Sequence, residues 1–135
     1  GFSCAIDEDL HIACWGGDNA HGELDPPSGT FTSLAASSYH ACAVGTNGAI
    51  TCWGHPSYRH KAPTGSSRFP RVSTNLENTC GVTTDHRIEC AGNESVLSTP
   101  VPDLNFQDVS IARGLCGLTD RGVVCWAGLI RPLQE

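Results

Sequence analysis

The sequence predicts an all-β, propeller-like array of four short antiparallel blades of about 36–38 residues per repeat, each with an intra-blade disulfide. Three observations lead there. Eight cysteines fall into four similar pairs, each pair encloses two arms of period-two alternation around a turn, and no stretch shows the 3.6-residue apolar period of a helix.

The second copy is the clearest. In His40-Ala41-Cys42-Ala43-Val44-Gly45-Thr46-Asn47-Gly48-Ala49-Ile50-Thr51-Cys52-Trp53-Gly54, Asn47-Gly48 is a strong hairpin-turn signal, because a glycine takes positive φ without a Cβ clash. With the turn centred there, Val44 faces Ile50 and Cys42 faces Cys52. The same frame aligns Cys4/Cys14, Cys80/Cys90 and Cys116/Cys125, whose first members are 38, 38 and 36 residues apart. An apolar residue follows each first cysteine by two (Ile6, Val44, Val82, Leu118), and Ile12, Ile50 and Ile88 precede the second by two. Cysteines and apolar residues thus share one face. Trp-Gly follows the second cysteine at Trp15 and Trp53, with the variants Ala91-Gly92 and Trp126-Ala127-Gly128 in the later copies.

A third, shorter strand precedes three of the hairpins: Phe31-Thr32-Ser33-Leu34, Phe69-Pro70-Arg71-Val72 and Phe106-Gln107-Asp108-Val109. The loops 17–30, 55–68 and 93–105 are dense in Gly, Pro, Asp, Asn and Ser, which argues against helix there. The whole chain, 1–135, reads as a single repeat domain with modules of about 1–30, 31–68, 69–105 and 106–128.

Cysteine chemistry follows from the spacing. The close pairs lie ten or nine positions apart, outside the short Cys-x-x-Cys-type spacings of structural zinc sites. Disulfides formed in an oxidising compartment are therefore expected at Cys4, Cys14, Cys42, Cys52, Cys80, Cys90, Cys116 and Cys125, paired across each hairpin. Each closed loop should contribute about 2 to 3 kcal/mol. Such staples compensate for thin apolar burial in a module this small.

Modules of this length cannot bury their apolar faces alone and must stack, as propeller blades or solenoid rungs. The run from His40 to Gly54, the preceding Phe strand and the repeat length resemble the RCC1-like β-propeller superfamily, closest to its secreted, disulfide-bearing "CWG" type found in crinkly-type receptor ectodomains and bacterial secreted proteins. The resemblance implies blades around a central channel, usually about seven, with ligands bound on loops at one face. It also implies packing between blades for the recurring tryptophans; a set of stacking platforms for sugars is the alternative.

Four modules fall short of such a ring, and the first lacks a Phe strand. The tail Ile130-Arg131-Pro132-Leu133 imitates that strand, so residues 129–135 are expected to complete module one, in cis or in trans to another copy. Only Leu129 separates Ile130 from Gly128, so the tail cannot travel far, and four blades this short would make an unusually tight ring, which favours trans, a dimer or a filament. Ile130 and Leu133 are then the assembly residues.

The remaining candidates are weighed by chemistry. The loop residues Tyr58, Arg59 and His60, with Trp15, Trp53 and Trp126, are the candidate ligand contacts, since aromatic and basic side chains make interface hot spots. Asn93-Glu94-Ser95 is a glycosylation sequon at Asn93. The histidines, His11, His21, His40, His55, His60 and His86, occupy different module positions, so no repeated metal-ligand set emerges. Asp7-Glu8-Asp9 lacks the spaced oxygens and glycine of an EF-hand loop and reads as turn charge. No nucleophile elbow, phosphate loop or zinc-protease helix motif occurs.

Composition narrows the function. Net charge is −6 with eight Lys and Arg, which gives nucleic-acid binding no electrostatic footing. No apolar run reaches the ~20 residues of a membrane helix, and no leader opens the sequence, so any secretion signal is expected to have been removed. The expectation is a secreted, non-catalytic binding module without cofactor or metal. Its partner is a protein or a glycan, with homo-oligomerisation through the tail as the structural alternative.

Overall fold

The computed structural model describes residues 1–57, 62–63, 68–75, 78–92, 100–111 and 114–128. They form eleven strands and, among the described residues, no helix: β1 (Ser3–Ile6), β2 (Ile12–Trp15), β3 (Phe31–Ala36), β4 (His40–Gly45), β5 (Ile50–Gly54), β6 (Arg71–Thr74), β7 (Asn78–Val82), β8 (Ile88–Gly92), β9 (Phe106–Ile111), β10 (Gly114–Thr119) and β11 (Gly122–Gly128). They make four antiparallel sheets in the orders β1-β2, β3-β4-β5, β6-β7-β8 and β11-β10-β9. These are blades 1 to 4. The first has two strands among the described residues, in keeping with the missing Phe motif.

Register follows the cysteine frame. Cys4 faces Cys14, Cys42 faces Cys52, Cys80 faces Cys90 and Cys116 faces Cys125. Val44 faces Ile50, as the turn at Asn47-Gly48 requires. Directly opposed residues bring the Cα atoms to 4.0–4.1 Å, and all four pairs are disulfide-bonded, leaving no free cysteine. The third strand of blade 3 begins at Arg71 rather than Phe69. Pro70 has no N–H to offer a ladder, and regular pairing starts after it.

Successive blades pack along the chain. The innermost strands touch one another, β3 against β6 and β6 against β9, while β7 packs on β9 and β4 on β6. Apolar side chains fill the gaps between blades rather than a single central core. Blade 1 meets blade 2 through Phe31, Ala41, Ala43 and Trp53, with Cys4, Ile6, Ile12 and Cys14 packed against them. Blade 2 meets blade 3 through Cys42, Val44, Phe69 and Val72. Blade 3 meets blade 4 through Cys80, Val82, Ile88, Phe106, Val109 and Leu115.

The Phe that opens each inner strand is a wedge between blades. A Cβ on Gly81 would stand 2.5 Å from the Phe69 ring and 3.0 Å from Ile50, and one on Gly117 would stand 2.4 Å from Phe106 and 3.3 Å from Ile88. The ring therefore lies between its own central strand and the isoleucine of the preceding blade.

A repeated hydrogen bond fixes this wedge. The N–H groups of Phe31, Phe69 and Phe106 donate to the carbonyls of Leu10, Gly48 and His86 at 2.8, 2.9 and 2.9 Å. Each acceptor sits six residues after the first cysteine of the preceding blade, in its hairpin turn. That position is left-handed in every copy, with φ of 67° at Leu10, 83° at Gly48, 61° at His86 and 117° at Gly122. Two copies use glycine and two hold a side chain there at a conformational cost. The turn conformation that aims the carbonyl at the next blade is preserved even where the residue type disfavours it.

Candidate functional site

Antiparallel pairing puts three kinds of segment at one end of the blades: the loop after each Trp-Gly, the short connection into the central strand, and the residues before β1. In blades 1 and 2 these segments converge on a cleft of about 450 Å³ lined by Phe2, Asp18, Asn19, His21, Glu23 and Tyr39, among others.

The first long loop is held firmly. The Trp53 indole N–H donates to the Glu23 carbonyl at 3.0 Å, so a buried side chain of blade 2 anchors a loop of blade 1. Asn19 closes the loop on itself: its Oδ1 accepts the Leu24 N–H at 2.8 Å and its Nδ2 donates to Asp25 Oδ2 at 3.2 Å. The Glu23 carboxylate is buried. Its Oε2 accepts the His21 N–H at 2.8 Å and its Oε1 lies 3.2 Å from His21 Nδ1. Burial opposes ionisation of Glu23, but the backbone N–H groups of His21 and Glu23, together with the His21 ring, outweigh it and hold the carboxyl below its ordinary pKa. The cleft therefore carries a fixed negative charge.

The second blade supplies the aromatic side. The His55 ring lies against His21 with centroids 4.2 Å apart, and Tyr39, about half exposed, meets His55 edge-on at 6.1 Å. The His55 N–H donates to the Tyr39 carbonyl at 2.9 Å. Gly54 makes that approach possible. At φ 106°, a Cβ on it would stand 2.6 Å from the Tyr39 oxygen, which gives the glycine of Trp-Gly its physical reason.

Beside the cleft, between blades 2 and 3, His40 is fully buried. Its Nδ1 lies 2.8 Å from Ser37 Oγ and its Nε2 lies 2.8 Å from Thr74 Oγ1. Thr74 Oγ1 gives its own proton to the backbone, with the Asn78 carbonyl at 2.9 Å. Both ring nitrogens are thus hydrogen-bonded, Nδ1 within blade 2 and Nε2 to blade 3. Burial pushes its pKa down to about 4, so the ring is neutral at physiological pH. His40 bonds within its own blade and also joins blade 2 to blade 3.

The expected contact residues part company here. Trp53 is 7% exposed and its indole N–H is bonded, which makes it a packing residue. Trp126 packs against the blade 3–blade 4 core with its ring 5.3 Å from Phe106, and its buried Nε1 has no hydrogen-bond partner among the described residues. Trp15 alone presents an open ring, at 55% exposure. The tryptophans are thus not equivalent sugar platforms. Tyr58, Arg59, His60, Asn93, Ile130 and Leu133 lie outside the described residues. Asp7 Oδ1 accepts the N–H groups of Asp9 and His11, both at 2.9 Å, as a turn cap. Asp7, Asp9 and His11 bring their ligand atoms within 4.8 Å of one another, all on exposed side chains. Asp18, Asn19 and Tyr39 escaped the reading of the sequence, although the antiparallel order already places the Ser37–Tyr39 connection at the same end as the Trp-Gly loops.

Comparison with known proteins agrees with this architecture. The Regulator of chromosome condensation (RCC1) repeat matches residues 31–59, which contain blade 2. No curated protein matches the chain. Among solved structures, the CRINKLY WD40 ectodomain of the Arabidopsis thaliana receptor kinase ACR4 is similar with a TM-score of 0.74 and 28% identity, over 93% of this chain and 47% of that one. The ectodomain of the Physcomitrella patens receptor kinase CR4 is similar with a TM-score of 0.77 and 25% identity, over 94% of this chain and 36% of that one. Yeast RCC1 (Prp20), solved with Kap60 bound, shares the fold with a TM-score of 0.70 at 10% identity, over 93% of this chain and 41% of its own. The chain thus spans less than half the length of each of these proteins. With an RCC1 repeat at residues 31–59 and blades stacked through a Phe wedge, the chain is similar over most of its length to RCC1-like β-propellers.

Proposed function

We propose that this protein is a non-catalytic recognition module of an oxidising, extracellular setting, and that it binds a protein partner at the loop-face cleft between blades 1 and 2. One observation carries the reading: the long loop of blade 1 is pinned by Trp53 and Glu23 in a fixed conformation, with Tyr39, His21 and His55 grouped beside it. A pre-ordered loop bearing aromatic side chains loses little entropy on binding. Four disulfides support the compartment. The receptor ectodomains it resembles and the Kap60 complex of yeast RCC1 support a binding role and a protein partner. A glycan is the weaker reading, since Trp15 is the one tryptophan with an open ring.

The test is selection of ligands from a secreted-protein display library and, in parallel, a glycan array. A protein ligand whose affinity falls about tenfold or more with Tyr39→Ala or His21→Ala, and is unchanged by Asp120→Ala on the opposite end, is the expected result. Ligands insensitive to the cleft variants, or an absence of ligands from the protein library, would overturn it.

A further inference from the structure

Charge is placed unevenly along this chain. Residues 1–58 contain six carboxylates, Asp7, Glu8, Asp9, Asp18, Glu23 and Asp25, and no Lys or Arg. From Arg59 onward the other eight Asp and Glu balance all eight Lys and Arg. The whole formal charge of −6 therefore belongs to the segment that builds blades 1 and 2. The cleft between those two blades concentrates it. Asp18 and Glu23 both line the cleft, and no Lys or Arg does. Glu23 is 6% exposed, and the His21 N–H at 2.8 Å holds its carboxylate in place, so this charge neither swings away nor meets the salt that screens a surface carboxylate. Asp18 is exposed, and Tyr39 brings a ring that is 48% exposed to the same cleft.

We infer that the protein partner enters this cleft with an arginine side chain, stacked on Tyr39 and paired with Asp18, while Glu23 supplies a fixed negative charge. The inference rests on the binding role proposed above and adds the chemistry of the ligand. A cleft lined by one sign of charge focuses its field and draws in the opposite sign. An open aromatic face beside carboxylates suits a guanidinium, whose flat face stacks on a ring while its edge bonds an acid. Lysine fits less well, because its ammonium is a point charge that cannot do both at once. At about 450 Å³ the cleft is within the range of sites that hold drug-sized ligands. It is larger than one side chain needs, so the arginine is one anchor of a longer segment. The six carboxylates of blades 1 and 2 steer that segment inward, and added salt slows the encounter.

The experiment is selection from a random-peptide display library on the disulfide-bonded full chain, followed by affinity measurements on the enriched peptides. Peptides that lose binding to Tyr39→Ala are expected to share one arginine. Replacing it in the peptide by citrulline, an uncharged isostere, should weaken binding about tenfold or more, and replacing it by lysine should weaken binding by a smaller factor. This arm leaves the protein unaltered, so it stands however the variants fold. Asp18→Asn should weaken the arginine peptide about tenfold and leave the citrulline peptide unchanged. Glu8→Gln removes the same unit of charge from the hairpin turn at the other end of blade 1 and should change affinity by less than about twofold. Tyr39-dependent peptides without a shared arginine overturn the inference and leave the binding role standing. Equal losses with Asp18→Asn and Glu8→Gln do the same, because they show a general attraction to an acidic surface. An empty selection, or peptides indifferent to Tyr39→Ala, overturns both.

Discussion

The middle blades and the end blades share one sequence pattern and have opposite surroundings. Every residue of β7 is buried, whereas β1 alternates exposed and half-buried residues along its length. Ile88 is 6% exposed, and its counterpart Val123 is among the most exposed apolar side chains described. The difference lies in what packs on each blade. A strand with a neighbour on both faces buries its polar alternates too, which is why Thr79 and Asn78 are as inaccessible as Val82. The polar ones must then be satisfied internally, and Thr79, Thr74 and His40 do so as a group between blades 2 and 3. End blades need no such network. A stacked repeat therefore concentrates both its stability and its buried polar chemistry in the middle.

This contrast can be broken at several points. The largest effect is expected from the wedge. Phe106→Ala should cost about 3 to 5 kcal/mol in urea unfolding, while Leu118→Ala in the same blade should cost less than about 1 kcal/mol; equal losses would remove the distinction between covered and open faces. Next come the staples. Replacing both cysteines of the Cys42–Cys52 pair, of which Cys42 is fully buried, by alanine should cost about 3 kcal/mol or more, loop closure plus lost packing, and the half-buried Cys4–Cys14 pair less, about 2 to 3 kcal/mol.

Acid tests the polar network. His40 has a folded-state pKa of about 4 against 6.5 for the free side chain, so below the latter value the unfolded chain binds a proton that the folded chain refuses. Its contribution is fully present above about pH 6.5 and is lost as pH falls toward about 4, at close to 1.4 kcal/mol per pH unit. Unfolding midpoints at neutral and mildly acid pH should show this slope, and His40→Asn should flatten it. The smallest effect concerns the hairpin turns. Leu10→Gly should raise stability by about 1 kcal/mol by relieving its left-handed backbone. The reverse change, Gly48→Leu, should lower it, because a Cβ there meets the Arg68 side chain at 2.7 Å. A thermal melt of each distinguishes the signs.

Much of the fold was legible because it is local. The cysteine spacing, the Asn47-Gly48 turn and the two-residue alternation specify hairpin register directly, and the disulfides follow from register. The wedge was legible as a motif and its role was not, since Phe69 meets Gly81 and Ile50 only once two blades are stacked. The candidate site was the least legible part. Glu23 looks like any loop carboxylate until Trp53, thirty residues on, donates to its carbonyl. Tyr39 gains its place from Gly54 and His55 across the same blade.

By itself the sequence determined the unit: a stapled hairpin, repeated, with one face apolar and a Phe strand leading into it. Hairpin pairing is short-range and set by turn and alternation, so one copy carries the information. Only the tertiary structure decided which copies are buried on both sides, why His40 is held neutral while His21 shares a cleft with a charged carboxylate, and which tryptophan remains open. Those properties depend on whether another blade lies against the residue, and identical positions in the repeat differ in that alone.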